Sequence, residues 1–231
     1  MKTKYPVGKK YKKKYKKRKF ARTLIGFKAD KAYRMALRLT KEQPKIETKF
    51  IGKTINETDI DWNGVTAIFN NVSQGTVDTS RIGDSLRMIG LYINMTFSYV
   101  DDIDYTVSNY FNEPVLIRFI IIYDKQNKIT TAAEYLQQSA SNLAVRSSKN
   151  HDRRFETRLI LDKTFNLNAL SRPMAHLNEY IKLKLYTQFN GGTPTINTGA
   201  LRYFIISDQD PTLSDTFCQA LGRLKIHFTD C

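Results

Sequence analysis

The sequence has few residues of the kinds that build disulfide frameworks, metal centres or catalytic centres. It contains 2 cysteines, Cys218 and Cys231, and 3 histidines, His151, His176 and His227. The cysteines have neither C-x-x-C spacing nor a matching histidine cluster, so we expect no disulfide framework, no zinc site and a reducing compartment. The histidines are far apart and belong to no H-E-x-x-H motif, so we assign no catalytic residue among them.

Long apolar runs and enzyme motifs are also missing. The longest apolar run, 116–123, is interrupted by Arg118 and is far shorter than the roughly 20 residues of a membrane helix. The charged N-terminus has no apolar stretch, so we expect no secretory signal and no membrane partner. No G-x-x-x-x-G-K-[ST], G-x-G-x-x-G or G-x-S-x-G occurs, which argues against an enzyme and against a bound cofactor.

One acidic cluster has the oxygen-rich character that Ca²⁺ prefers. It consists of Asp101, Asp102 and Asp104. It directly follows a long predicted strand, where a solvated loop is the expected structure. We therefore assign no metal site to it.

Acidic residues are absent from the start of the chain. Residues 1–22 carry ten lysines and two arginines and no acid, a charge of +12. The whole chain has a net charge of +15, whereas residues 50–231 carry 18 basic and 19 acidic residues. A block of like charge repels itself and buries no core, so we expect this arm to be disordered until a polyanion neutralises it.

The arm interleaves its cations with aromatic residues. Lysines bind phosphates by releasing condensed counterions, and aromatic rings stack on unpaired bases, so the combination favours single-stranded nucleic acid. The same run is compatible with a nuclear-import signal, and a solubilising tail is the alternative. The candidate nucleic-acid-binding residues are Lys9, Lys10, Tyr11, Lys12, Lys13, Lys14, Tyr15, Lys16, Lys17, Arg18, Lys19, Phe20 and Arg22.

A linker joins the arm to the rest of the chain. Residues 28–39 fit a short basic amphipathic helix, and Pro44 separates it from the body. We therefore predict a basic arm and linker over residues 1–50 and one domain over residues 51–231.

Period-two alternation predicts strands in the body. It is most regular over 86–100, where every second residue is apolar and is expected to face a core: Ile89, Leu91, Ile93, Met95, Phe97 and Tyr99. Segments 180–189 and 222–230 alternate in the same way, with Lys182 and Lys184 or Arg223, Lys225 and His227 on the polar side. Further strands are predicted at 65–69, 115–123, 143–147, 155–167 and 200–207.

Helix signals are rare in the body. The best is T-A-A-E at 131–134, a capping-box pattern that predicts a short helix from Thr131. Many strands with unequal long connections and almost no helix indicate an all-β fold. We predict an eight-stranded single jelly-roll sandwich with a disordered basic N-terminal arm.

A series of short motifs follows the Lys-rich arm. They are Q-G-T at 74–76, R-I-G-D at 81–84, I-I-I-Y-D-K-Q at 120–126, F-N-L-N at 165–168, Y-I-K-L-K-L at 180–185, T-Q-F-N-G-G at 187–192 and N-T-G-A-L at 197–201. Because its motifs occur in this order, the chain resembles the single jelly-roll capsid proteins of small circular single-stranded DNA viruses, the circovirus-like group. The resemblance covers the arm and most of residues 62–231.

The resemblance implies a coat protein that forms a T=1 icosahedral shell of sixty identical subunits and packages single-stranded DNA on inward-facing arms. Sixty arms would bring roughly 700 positive charges, which neutralises a large part of a small genome. The implied partners are the viral genome, identical subunits, host import receptors and a cell-surface receptor. The implied locations are the virion and, during assembly, the host nucleus.

Two other kinds of protein fit the same features. Circovirus arms are Arg-rich whereas this arm is Lys-rich, and the R-x-G-D motif also resembles coat proteins of small satellite RNA viruses. One alternative is therefore a coat protein with an RNA genome. The other is a cellular single-stranded nucleic-acid-binding β-sandwich protein that forms no shell.

Overall fold

The computed structural model describes residues 47–99, 114–137, 144–168, 171–210 and 218–231. The basic arm, the helix predicted over 28–39 and the acidic cluster at Asp101, Asp102 and Asp104 lie outside these residues. All of the following structural statements concern the described part of the chain.

Nine strands and one short α-helix make up this part of the chain. The strands are β1 (Lys49–Glu57), β2 (Val65–Ile68), β3 (Ser85–Tyr99), β4 (Val115–Asp124), β5 (Thr157–Leu167), β6 (Met174–Phe189), β7 (Ile196–Thr198), β8 (Ala200–Ser207) and β9 (Cys218–Asp230). Helix α1 (Ala132–Tyr135) and two 3-10 turns, Ala144–Arg146 and His151–Arg153, lie between β4 and β5.

The strands form two antiparallel sheets with the strand order of a jelly roll. The five-stranded sheet has the order β1-β9-β3-β6-β7, and the four-stranded sheet has the order β2-β8-β4-β5. We letter the eight longer strands B to I along the chain. The five-stranded sheet then has the order B, I, D, G, with β7 as a short addition beside β6, and the four-stranded sheet has the order C, H, E, F. This arrangement confirms the predicted all-β single jelly roll.

The main core lies between the two sheets. Phe97 of β3 stacks on Phe165 of β5 with ring centroids 4.7 Å apart, and it also contacts Phe119 of β4 at 5.6 Å. In β6 and β9 the apolar residues alternate inward as predicted, with Leu183 and Leu224 among the buried side chains. The period-two pattern of the sequence therefore corresponds to one buried and one outward face in these strands.

The prediction of which residues face the core is wrong at the start of β3, because this strand contains a β-bulge. The pairing of β3 with both β6 and β9 shifts between Met88 and Gly90. Ile89, predicted to face the core, lies in this bulge, is half-buried and does not belong to the core cluster. Leu86 and Met88 are buried in its place, because an inserted residue reverses the alternation on one side of a bulge.

Helix α1 and the first 3-10 turn contribute to a second core. Tyr135 stacks on Phe204 of β8 at 5.9 Å, and Val145 belongs to the same cluster as Ile120 and Ile122 of β4. This cover explains why β4 and β8 are apolar on both faces. The predicted capping box is confirmed, since Thr131 accepts the Glu134 N–H and the Glu134 carboxylate accepts backbone N–H groups.

The prediction of a strand at 143–147 is wrong. Residues Ala144–Arg146 form a 3-10 turn. The guanidinium of Arg118 donates to the carbonyls of Val145 (3.1 Å) and Ser147 (2.5 Å) and makes a two-point contact with Asp162 (2.8 and 2.7 Å). A side chain therefore provides donors to these carbonyls, which in a strand would accept from a neighbouring backbone.

Two strands lacked a sequence signal. β1 has an irregular burial pattern at the sheet edge, and its pairing with β9 along its whole length defines it as a strand. β7 has only three residues. No helix in the described residues is both long enough and apolar enough to cross a membrane.

The two cysteines differ in exposure. Cys218 is buried at the start of β9, whereas Cys231 is exposed after its end. Burial, with a smaller effect from Asp208, raises the pKa of the Cys218 thiol to about 12. A thiol reacts as its thiolate, so Cys218 is protected by both its pKa and its burial.

Alkylation of the native protein at about pH 8 should therefore modify Cys231 and spare Cys218. Peptide mass spectrometry would measure the two sites separately. A Cys231→Ser variant is the control and should take up label only after denaturant is added. Equal labelling of both cysteines in the native protein would contradict the burial of Cys218.

Candidate nucleic-acid interface

The residues predicted to bind nucleic acid all belong to the basic arm. All thirteen, from Lys9 to Arg22, lie outside the described residues, so their role stays a prediction. The described residues nevertheless include a second concentration of basic and aromatic side chains. It lies on the outer face of the five-stranded sheet.

The strand register defines this outer face. Residues directly opposite each other in an antiparallel pair point to the same side of a sheet. Tyr92 of β3 lies opposite both Lys225 of β9 and Tyr180 of β6, and Asn94 lies opposite Arg223. The residues between them in β3, such as Ile93, point into the core.

Five cations lie on this outer face. Two of them are consecutive outward positions in β6, and two are consecutive outward positions in β9. We call the outward surface of β1, β9, β3 and β6 the basic face. Its cations are Arg87, Lys182, Lys184, Arg223 and Lys225.

The acidic residues of the same sheet point the other way. Its five strands contain three acids, each at an inward register position. No described strand residue of the basic face is acidic, so its five positive charges have no carboxylate among the outward strand positions to offset them. Each acid contacts a group elsewhere: Glu57 the Tyr203 hydroxyl (2.9 Å), Glu179 the Lys163 ammonium (3.2 Å) and Asp230 the Lys49 ammonium (2.8 Å).

Exposed aromatic rings accompany the cations. Tyr180 and Tyr186 of β6 are 56% and 54% exposed. Tyr180 lies across Gly90, where a Cβ atom would come within 2.2 Å of the tyrosine hydroxyl. The glycine leaves room for the ring to lie against the sheet, with over half of its surface open to solvent.

The β1 side of the basic face has a similar arrangement. The guanidinium of Arg223 lies over Gly52, and the ammonium of Lys225 lies 3.8 Å from the centroid of the Phe50 ring. These contacts hold the two cations close to the sheet. The positions of charge on this face are therefore partly organised before any ligand binds.

His227 adds a ring and no charge to this face at neutral pH. Burial, and then the neighbouring Lys225, lower the pKa of His227. Since the ordinary pKa of histidine is about 6.5, this ring is neutral at pH 7. The charge of the basic face at neutral pH is therefore carried by lysine and arginine.

A groove opens at the β1 edge of the basic face. It has a volume of about 540 Å³. Phe50, Gly52 and Arg223 form one wall, and the loop between β2 and β3 forms the other, with Asn71 and Gln74 among its residues. The groove therefore extends the basic face with hydrogen-bonding groups.

Arg81 holds the loop that forms this groove. Its side chain is completely buried, lies 4.1 Å above the Phe189 ring and donates to the Gly83 carbonyl. It also donates to the carbonyls of Val72 (3.1 Å), Gly191 (2.6 Å) and Thr193 (2.8 Å). A single guanidinium thus ties the β2–β3 loop to the β6–β7 loop, which explains the arginine of the R-I-G-D motif.

Lys49 and Asp230 close the corner at which β1 begins. The Lys49 ammonium contacts Asp230 (2.8 Å) and the Ser80 carbonyl (3.1 Å). Asp230 also accepts the Ile82 N–H at 3.1 Å. The first strand is therefore tied to the end of the last strand and to the loop that contains Arg81.

The sequence contains part of the signal for the basic face. The alternation of Lys182 with Lys184, and of Arg223 with Lys225, shows that each pair shares one side of its strand. It does not show that β3 lies between the two strands, nor that the acids of the sheet point inward. The surface could be recognised only after the strand order was known.

No family model and no curated protein sequence matches this chain. Among solved structures, a chain of Desmodium yellow mottle tymovirus is similar with 11% identity and a TM-score of 0.37, over 80% of this chain and 87% of that chain. A chain of empty-head turnip yellow mosaic virus has 9% identity and a TM-score of 0.34, over 81% and 82%.

A chain of infectious bursal disease virus, Gt strain, has 11% identity and a TM-score of 0.27, over 82% of this chain and 33% of that chain. TM-scores this low carry no argument about fold or function. The strand order and the outward side chains define the class of protein: a single jelly-roll β-sandwich with a basic, aromatic outer sheet face.

Replacing Arg81 by alanine should lower the free energy of unfolding by about 3 kcal/mol or more, because carbonyls of two loops lose their buried donor. Chemical denaturation would measure the change. Arg81→Lys should recover little of it, since one ammonium cannot reproduce the planar set of donors.

Arg87→Ala is the matched control for this experiment. Arg87 is exposed on the basic face, so its removal should change the free energy of unfolding by no more than about 0.5 kcal/mol. Equal effects of the two alanine variants would show that Arg81 does not hold the loops.

Proposed function

We propose that this chain is a viral coat protein that self-assembles into a small icosahedral shell and packages single-stranded DNA with its Lys-rich N-terminal arm. The separation of charge is the observation that carries the proposal. The arm has a charge of +12, whereas residues 50–231 carry 18 basic and 19 acidic residues. The arm can thus bind a polyanion while near-neutral bodies meet one another without strong repulsion.

The jelly roll supports a role in assembly. Jelly rolls occur in capsid, lectin and cupin domains, so this fold by itself leaves the function open. A metal-dependent cupin needs a pocket with clustered histidines and carboxylates. The described residues contain no group of three or more metal-ligating side chains. The arm, in contrast, carries positive charge that can neutralise the phosphates of a genome.

Two further properties belong to the same proposal. The Lys-rich segment 9–20 also acts as a nuclear-import signal recognised by host import receptors, so that assembly takes place in the nucleus. Sixty subunits form the T=1 shell, and its exterior binds a cell-surface receptor. An RNA genome of satellite type, or a cellular single-stranded nucleic-acid-binding role without a shell, are the competing functions.

Assembly distinguishes a coat protein from a cellular nucleic-acid-binding protein. Purified full-length protein should form closed particles of uniform size by negative-stain microscopy. Their size should not change with the length of added single-stranded oligonucleotides, because subunit contacts set the curvature of a shell. Complexes whose size follows the oligonucleotide length would support the cellular alternative. Sequencing of co-purified nucleic acid would then decide between DNA and RNA.

Neutralising the arm should abolish packaging without unfolding the body. In the test variant the lysines of segment 9–19 are replaced by glutamine, and in the matched control they are replaced by arginine. The slope of log affinity against log salt should fall by about 0.7 for each phosphate that the glutamine variant no longer neutralises, and it should stay the same in the arginine control. An unchanged slope with unchanged particle content would refute the role of the arm.

A further inference from the structure

We infer that the basic face is a second binding surface for single-stranded nucleic acid, separate from the arm. This inference deepens the proposed function and depends on it. In a shell, the five-stranded sheet would then form the wall that faces the genome, and the four-stranded sheet would face away from it. Residues 174–189 and 218–230 would contact nucleic acid directly.

The arrangement of side chains along β6 fits a single strand. Tyr180, Lys182, Lys184 and Tyr186 are four consecutive outward positions of this strand. Neighbouring outward positions in a strand are about 7 Å apart, so two cations lie in a row between two exposed rings. The rings can stack on bases while the ammonium groups contact phosphates, which is the same combination that the arm carries.

The second row of cations lies on β9, two strands away. Arg223 and Lys225 lie opposite Asn94 and Tyr92 of the intervening β3, so the surface continues without an acidic residue from β6 to β9. The distance between strands is about 4.8 Å, so the two rows are about 10 Å apart. A flexible polyanion can therefore contact both rows at once.

Part of the geometry is organised in advance. Tyr180 lies across Gly90, and Arg223 lies across Gly52, in places where a larger residue would collide with them. Groups that are already held in position lose less conformational entropy when a ligand binds. The two glycines thus favour a surface that contacts a ligand, because ordinary solubilising lysines and tyrosines need no such support.

The positive charge of the basic face determines which kind of ligand can bind to it. A second copy of the chain would bring the same five cations to a face-to-face contact, and the chain's own arm, at +12, would be repelled. A negatively charged ligand is required. The exposed rings of Tyr180 and Tyr186 favour unpaired bases over a duplex, whose bases are already stacked on one another.

The outward residues of β4 and β8 form no comparable surface. They are covered by helix α1 and the first 3-10 turn. Arg118 is paired with Asp162 at 2.7 Å, and Arg202 lies 4.0 Å from Asp124 and donates to Asn127. These two cations therefore lie beside acidic side chains, whereas no described strand residue of the basic face is acidic.

Photochemical crosslinking of the full-length protein to its co-purified nucleic acid would locate the contacts. Crosslinked nucleotides should be found on Tyr180 or Tyr186 as well as on the arm. Crosslinks confined to the arm would overturn this inference and leave the proposed function standing. Particles or subunits that retain no nucleic acid would instead refute the proposed function.

Salt dependence provides a quantitative test with a matched control. The variant Lys182→Ala/Lys184→Ala removes two cations of the basic face, and the control Arg146→Ala/Lys149→Ala removes two cations near the other sheet. With the arm intact, the slope of log affinity against log salt should fall by about 1.4 in the first variant and remain unchanged in the control. Equal slopes in the two variants would overturn the inference.

Discussion

The burial of alternate side chains between two sheets is the constraint on which the rest of this structure depends. Once Ile93 and Leu224 point into the core, Tyr92 and Lys225 must point outward, because successive residues of a strand face opposite sides. A shift of one residue would bring the cations of β6 and β9 into the core, at a large free-energy cost. Packing of the core therefore also maintains the basic face.

Buried polar contacts determine how the ends of the sandwich are closed. Arg81 joins two loops through their carbonyl oxygens, and Lys49 joins the first strand to Asp230 in the last strand. Such groups are stable in the interior because their hydrogen-bonding capacity is satisfied. Asp230 contacts Lys49 and Glu179 contacts Lys163, so the acids at these inward positions of the sheet pair with cations that lie off the basic face.

Local patterns predicted the elements whose signals are local. The long strand β3, the strands β6 and β9 and the capping box at Thr131 follow from residues that are neighbours in sequence. The errors have non-local causes. The bulge that displaces Ile89 depends on pairing with two other strands, and the turn at 144–146 depends on Arg118, which lies more than 25 residues away. β1 becomes a strand only by pairing with β9.

By itself, the sequence determined the charged arm, the alternation in the strands and the all-β character of the body, because each depends only on residues close together in the chain. The tertiary structure alone decided which strands are neighbours and where the acids point. The cations of β6 and β9 are separated by about 40 residues and share a surface only because both strands pair with β3. Long-range pairing therefore created the basic face from patterns that were separately visible in the sequence.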